Sequence, residues 1–263
     1  MRVFLALCLL VLSGLTQAAI KTQEIPYQSA DGTKMIGYYA YDDAIKGPRP
    51  GVVVVHEFWG LNDYAKRRAR DLAGLGYSAL AIDMYGGGKN TEHPKDAMAF
   101  MQAVLKDSSA AAVRFQAGLD LLKQQPQTDP NKVAAMGYCF GGGVVLNAAR
   151  QGAPLLGVVS FHGALATNTP ATPGRVKAKI LVEHGALDSM VTPDAVATFK
   201  AEMDKAGADY TFVSLEGAKH GFSNPDADRL SHGDHGGPDI GYNKAADERS
   251  WADMRAFFKK IFG

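Results

Sequence analysis

Gly137-Tyr138-Cys139-Phe140-Gly141 is the stretch that decides how the rest of the chain is read. It follows the apolar run Lys132-Val133-Ala134-Ala135-Met136, which reads as a buried strand, and it precedes Gly142 to Arg150, which reads as a helix. A G-x-nucleophile-x-G pentapeptide between strand and helix marks a sharp turn that lifts one side chain above a sheet. Here that side chain is a thiol. The turn forces the nucleophile into a strained conformation and brings backbone so close that flanking side chains would clash, hence the glycines. The same geometry aims the next N–H, that of Phe140, at the point the sulfur reaches. The plainer reading is an ordinary buried Cys in a Gly-rich turn.

Outward from this stretch, strands and helices alternate. Lys34 to Tyr41 reads as an early strand after the turn Asp31-Gly32. Gly51 to Val55 is a β-branched run of the kind buried on both faces of a parallel sheet, and it ends in His56-Glu57-Phe58-Trp59-Gly60-Leu61-Asn62. Asn62 or Asp63 caps a helix to about Leu75, with Arg67, Arg68 and Arg70 on its wet side and Gly76 closing it. Tyr77 to Ile82 is the next strand, followed by Asp83-Met84-Tyr85-Gly86-Gly87-Gly88-Lys89, a flexible loop. Pro94 to Lys106 and Ser108 to Lys123 are helices. Leu155 to Phe161, Ala178 to Glu183 and Tyr210 to Leu215 are strands, and Pro193 to Ala206 and Lys244 to Phe262 are helices. The order implies an α/β fold, a mostly parallel sheet with helices on both faces. The residues of chemical interest fall just past the strands' C-terminal ends, where open α/β sheets place their ligand crevices.

Composition narrows the function classes. Lys+Arg 28 against Asp+Glu 27 leaves the chain nearly neutral, and no basic face argues for nucleic acid. Met1-Arg2, the apolar Val3 to Leu12 and the small residues of Thr16-Gln17-Ala18-Ala19 read as a secretory signal peptide over 1–19, with a single domain over 20–263. The expectation is an exported protein, periplasmic or secreted, without stable membrane association once the signal is cleaved, and a monomer or weak homodimer. Cleavage removes Cys8 and leaves Cys139 as the one thiol, which then has no disulfide partner. Gly86-Gly87-Gly88-Lys89 lacks the spacing of a phosphate-binding loop. His232-Gly233-Asp234-His235 is a weak metal signal. No metal and no cofactor are expected.

A nucleophile needs a base, and the base an orienting acid. Cys139, Asp188 and His220 occur in the order nucleophile, acid, histidine, which is that of α/β-hydrolases. His220 then handles the proton, and Asp188 fixes its tautomer. Two backbone N–H groups, of Phe58 and Phe140, are the expected oxyanion hole. His162 and His184 also follow strands and read as structural, and His56 as packed.

Taken together, His56-Glu57-Phe58-Trp59-Gly60-Leu61-Asn62, Asp83-Met84-Tyr85-Gly86, Gly137-Tyr138-Cys139-Phe140-Gly141-Gly142, Asp188 and Lys219-His220-Gly221-Phe222 resemble the dienelactone hydrolase family across the expected mature chain. The resemblance implies the three-layer α/β-hydrolase fold, a Cys–His–Asp triad, and a carboxymethylenebutenolidase-like ester or lactone hydrolase. It further implies that Glu57 lies near the nucleophile and is displaced when substrate binds. Well-known members hold a substrate carboxylate with two arginines, and the matching positions here are Gly87 and Asn224. Lys89 does not reproduce a bidentate fork. Trp59, Tyr85 and Lys89 are the candidate substrate-binding residues. A thiolate attacks acyl carbons well but also leaves well, so enol esters, aryl esters and strained lactones are favoured over alkyl esters and amides. Two other readings are a non-catalytic hydrolase-fold protein that binds a small ligand, and a thiol redox protein, which would lack a resolving cysteine.

Overall fold

A computed structural model describes residues 20–107, 109–231 and 238–263. The signal segment 1–19 with Cys8, the helix start expected at Ser108, and His232-Gly233-Asp234-His235 lie outside the described residues.

In chain order the elements are β1 (Ile20–Gln28), β2 (Lys34–Asp42), β3 (Arg49–Val55), α1 (Asp63–Gly74), β4 (Ser78–Ile82), α2 (Pro94–Leu105), α3 (Ala110–Lys123), β5 (Thr128–Tyr138), α4 (Phe140–Arg150), β6 (Gly157–Phe161), β7 (Lys179–Gly185), α5 (Pro193–Ala206), β8 (Tyr210–Leu215), α6 (Ala227–Ser231) and α7 (Lys244–Phe262). The strands form an 8-stranded sheet in the order β1-β2-β4-β3-β5-β6-β7-β8. From β4 to β8 neighbouring strands run parallel, while β1 and β2 are antiparallel additions at one edge.

Strand periodicity splits the core into two layers. Along β3, Val53 and Val55 face α3 and α4 with Phe115, Leu119 and Val145, whereas Val52 and Val54 face α1 and α7 with Leu72, Met254 and Phe258. All four valines are fully buried, each burial worth on the order of 1.5–3 kcal/mol. Side-chain caps fix the helix starts: Asn62 accepts from Ala65 N at the head of α1, and Thr192 accepts from Ala195 N at the head of α5.

The structure adds one strand to those expected from the sequence and changes two expectations. β1 pairs with β2 along its whole length, yet its sequence carries no continuous apolar run, because as an edge strand it leaves most side chains in water. Pro26 is tolerated on that edge. Arg68 is not on the wet side of α1 as Arg67 and Arg70 are free to be; it is buried, paired with Asp247 and stacked on Tyr64 and Trp251. Finally, the Gly86-Gly87-Gly88 segment is not a loose loop. The buried Asp83 carboxylate accepts from the N–H groups of Tyr85, Gly86 and Gly88, and Gly87 N donates to Lys34 O.

Candidate active site

The pentapeptide forms the turn its glycines imply. Cys139 has φ 53 and ψ −114 between β5 and α4. A Cβ on Gly137 would lie 2.1 Å from Gly141 O, and one on Gly141 would lie 2.3 Å from Val55 O, so both positions exclude side chains. Two backbone bonds tie the turn to its neighbours: Cys139 N donates to Phe161 O at 3.0 Å, and Gly141 N donates to His56 O at 3.1 Å. The elbow is therefore held against the ends of both β3 and β6. The Cys139 thiol is free and half-buried.

Asp188 and His220 come together beside it. The Asp188 carboxylate is fully engaged: Oδ2 accepts from His220 Nδ1 at 2.8 Å, and Oδ1 accepts from Met190 N and Val191 N. With Nδ1 donating, the other ring nitrogen of His220, Nε2, is the free position. It is buried and has no hydrogen bond of normal geometry. Burial alone would push the imidazole down, but the charge of the Cys139 sulfur and the bond to Asp188 outweigh it and raise His220 to about 10. Such a loose nucleophile–base contact is ordinary in an unliganded site.

Glu57 follows β3 and is buried. Burial pushes its carboxyl up to about 7, against the opposing pull of the Asn224 hydrogen bond and of His220 and Arg68. Its Oε2 accepts from Asn224 Nδ2 at 2.7 Å. Among the described residues no hydrogen bond joins Glu57 to Cys139. The residue that holds Glu57 is thus Asn224, which the sequence marked only as a missing arginine.

The loop after β3 is pinned from behind. His56 Nε2 accepts from Met84 N, which leaves Nδ1 to donate to Glu57 O. Tyr85 is buried and its hydroxyl donates to Phe58 O at 3.0 Å, while its ring packs on His56, Phe100 and Phe140. Neither Phe58 N–H nor Phe140 N–H has an acceptor among the described residues, which leaves both donors available to an incoming oxygen. Trp59 is buried against Phe58, and Lys89 is exposed with Nζ 5.9 Å from the Phe100 ring centre. Tyr85 therefore braces the loop with its polar end committed, and Lys89 sits on Phe100 over it. Trp59 and Asn224 also line a polar cavity of about 300 Å³ between the starts of α1 and α2 and helix α6.

A model of the dienelactone hydrolase family matches residues 35–262. The chain belongs to the dienelactone hydrolase family. This hydrolase is similar to the crystal structure of a dienelactone hydrolase-like promiscuous phosphotriesterase, P91, from metagenomic libraries, with 38% identity and a TM-score of 0.84 over 93% of this chain and 100% of that one. It is 30% identical to a "Probable 2-oxo-3-(5-oxofuran-2-ylidene)propanoate lactonase" of Bradyrhizobium sp, over 73% of this chain and 80% of that protein. It is also 28% identical to "Protein usf" of Aquifex pyrophilus, over 88% of this chain and 95% of that one. Against this family background, the chain carries Gly87 in an Asp83-pinned turn and Asn224 bonded to Glu57. Neither position offers a cation.

Proposed function

We propose that this hydrolase cleaves activated carboxylic esters or lactones through an acyl-thioester on Cys139. One observation carries the reading: at a strained elbow, the thiol stands beside an imidazole whose far nitrogen is clamped by Asp188 and whose near nitrogen is unpartnered. In the proposed reaction the Cys139 thiolate attacks the acyl carbon, a C–S bond forms, and the carbonyl oxygen takes the negative charge facing the Phe58 and Phe140 N–H groups. Collapse breaks the C–O bond to the leaving group, which receives the Nε2 proton of the His220 imidazolium. Water then attacks the thioester, His220 takes its proton, and the C–S bond breaks to return the thiolate. The net change is ester or lactone plus water to acid plus alcohol.

The apolar surroundings favour an uncharged acyl group. Phe58, Phe140 and Tyr85 back the nucleophile, and the exposed Leu187 and Met190 flank Asp188. With no arginine at Gly87 or Asn224, a free carboxylate on the substrate has no partner there. We further propose that residues 1–19 are a cleaved export signal, so that the mature protein from cells begins at Ile20 by intact mass.

Turnover of an activated aryl ester tests the reading. Cys139→Ala is expected to reduce kcat by at least about 1,000-fold with the fold intact. Because a similar protein is named for phosphotriester turnover, the panel includes an aryl phosphotriester. Ligand protection from unfolding without turnover of any substrate would favour a binding protein instead.

A further inference from the structure

Cys139 and His162 are the two non-glycine residues with positive φ among the described residues, at 53° and 40°. They stand at the ends of neighbouring strands, β5 and β6, and the bond from Cys139 N to Phe161 O joins the two turns. Such a backbone conformation costs about 1–3 kcal/mol and persists only where the surroundings enforce it. At Cys139 the strain presents the sulfur. His162 plays no part in the reaction as written above, yet it is fully buried in the same place.

Its surroundings are specific. His162 N donates to Glu183 O at 2.8 Å, which keeps the β6 ladder running to its end. Its ring meets the His220 ring edge-on, with centres 5.0 Å apart, and Phe222 closes a second edge at 5.1 Å. Its Nε2 lies 2.8 Å from Ser223 Oγ, which lies 2.8 Å from Tyr64 Oη. Arg68 donates to Tyr64 Oη and to Ser223 O from α1.

Tyr64 Oη lies within hydrogen-bond reach of both Ser223 O, at 3.2 Å, and Ser223 Oγ, so the His162 ring is tied to Arg68 through Ser223 and Tyr64 whichever hydroxyl donates. Among the described residues His162 Nδ1 is buried and has no partner, so Ser223 Oγ is the polar anchor of the ring. A second proton would place a charge in a site that already faces His220, with Arg68 and His184 adding to the repulsion. Burial, then the charge of His220, hold His162 well below the usual histidine range.

We propose that His162 is a positioning residue: anchored through Ser223 and Tyr64 to Arg68, its ring holds the His220 imidazole in line between Asp188 and Cys139. Asp188 fixes one end of His220, and His162 fixes its tilt. The proposal adds to the reading of the triad and can fail independently of it.

Two variants separate the anchor from mere packing. Ser223→Ala keeps both rings and removes the anchor. His162→Phe keeps a ring of similar size and also loses it. Both are expected to lower kcat by about 10- to 100-fold, the usual cost of a misaligned catalytic group, with KM within about twofold. His162→Gln, which retains a partner for Ser223, is expected to recover part of the loss. Cooperative thermal unfolding shows which variants fold, and Ser223→Ala carries the test if His162→Phe does not fold. Nitrogen-15 NMR of the histidines needs no turnover. It is expected to show His162 neutral from about pH 6 to about pH 9, and a lower His220 pKa in Ser223→Ala. A His162 that becomes protonated within that range, or Ser223→Ala with kcat within twofold of the unaltered protein and an unmoved His220 titration, would overturn the proposal. If the unaltered protein turns over no ester while the NMR results hold, the proposed reaction fails and the positioning role stands.

Discussion

Glu57 and Glu183 are both buried carboxyls near the C-terminal ends of parallel strands, and burial raises both, to about 7 and about 8. Their partners differ. Glu57 receives the Asn224 amide and lies within the field of His220. Among the described residues Glu183 has no hydrogen-bond partner on either oxygen; after burial itself, Asp253 of α7 pushes it further up and Arg249 pulls it down. Desolvation by itself produces a perturbed carboxyl without producing a site. What distinguishes Glu57 is a single neutral donor, reachable from a polar cavity, that sets whether the carboxyl is charged near neutral pH.

The largest expected effect is on stability, at Glu183. Its folded pKa is raised above the ordinary 4.5, so its contribution is fully present below that value and is lost as pH rises through about 8. At about 1.4 kcal/mol per pKa unit the loss amounts to a few kcal/mol. Glu183→Gln is expected to unfold at the same denaturant concentration as the unaltered protein near pH 5 and to be more stable at pH 9, with kcat unchanged. Equal stability at pH 9 would mean that Glu183 finds a partner when ionised.

At Glu57 the expected effect is kinetic. Below about pH 7 the carboxyl is protonated, so Glu57→Gln and the unaltered enzyme should share one kcat/KM curve there. Above it the carboxylate supports the His220 imidazolium, and the unaltered enzyme is expected to run about tenfold faster, or about 1.4 kcal/mol in barrier. A variant that is faster above pH 7 would instead assign the carboxylate to restraining the sulfur.

The smallest effect belongs to Asn224. Its bond pulls Glu57 down, so Asn224→Ala is expected to move the limb of the pH–rate profile upward by about half a unit to one unit, with a loss of about 1.4- to 2.5-fold at pH 7.5. An unmoved limb would detach Asn224 from the control of Glu57.

Much of this comparison was hidden from the sequence, for a physical reason. The elbow, the strand before it and the order Cys139, Asp188, His220 are written locally, in glycines, β-branched runs and positions after strands. β3 and the two-layer core follow from the same patterns. The Glu57–Asn224 bond joins residues 167 apart, and the Tyr64–Ser223–His162 contacts join α1 to the ends of two strands, so no local period announces them. Arg68 was misplaced because a charged residue on an amphipathic helix is ordinarily solvated, and its compensation comes from Asp247 and Trp251 on α7. β1 was missed because a half-exposed edge strand carries little apolar signal. Among the described residues no helix is long and apolar enough to cross a membrane.

Intact-mass measurement of the protein within milliseconds to seconds of mixing with an activated aryl ester addresses the acyl-thioester most directly. One acyl group per chain is expected, mapped to Cys139, decaying as product forms and absent from Cys139→Ala. An adduct that persists in Cys139→Ala, or full turnover by that variant, would contradict it.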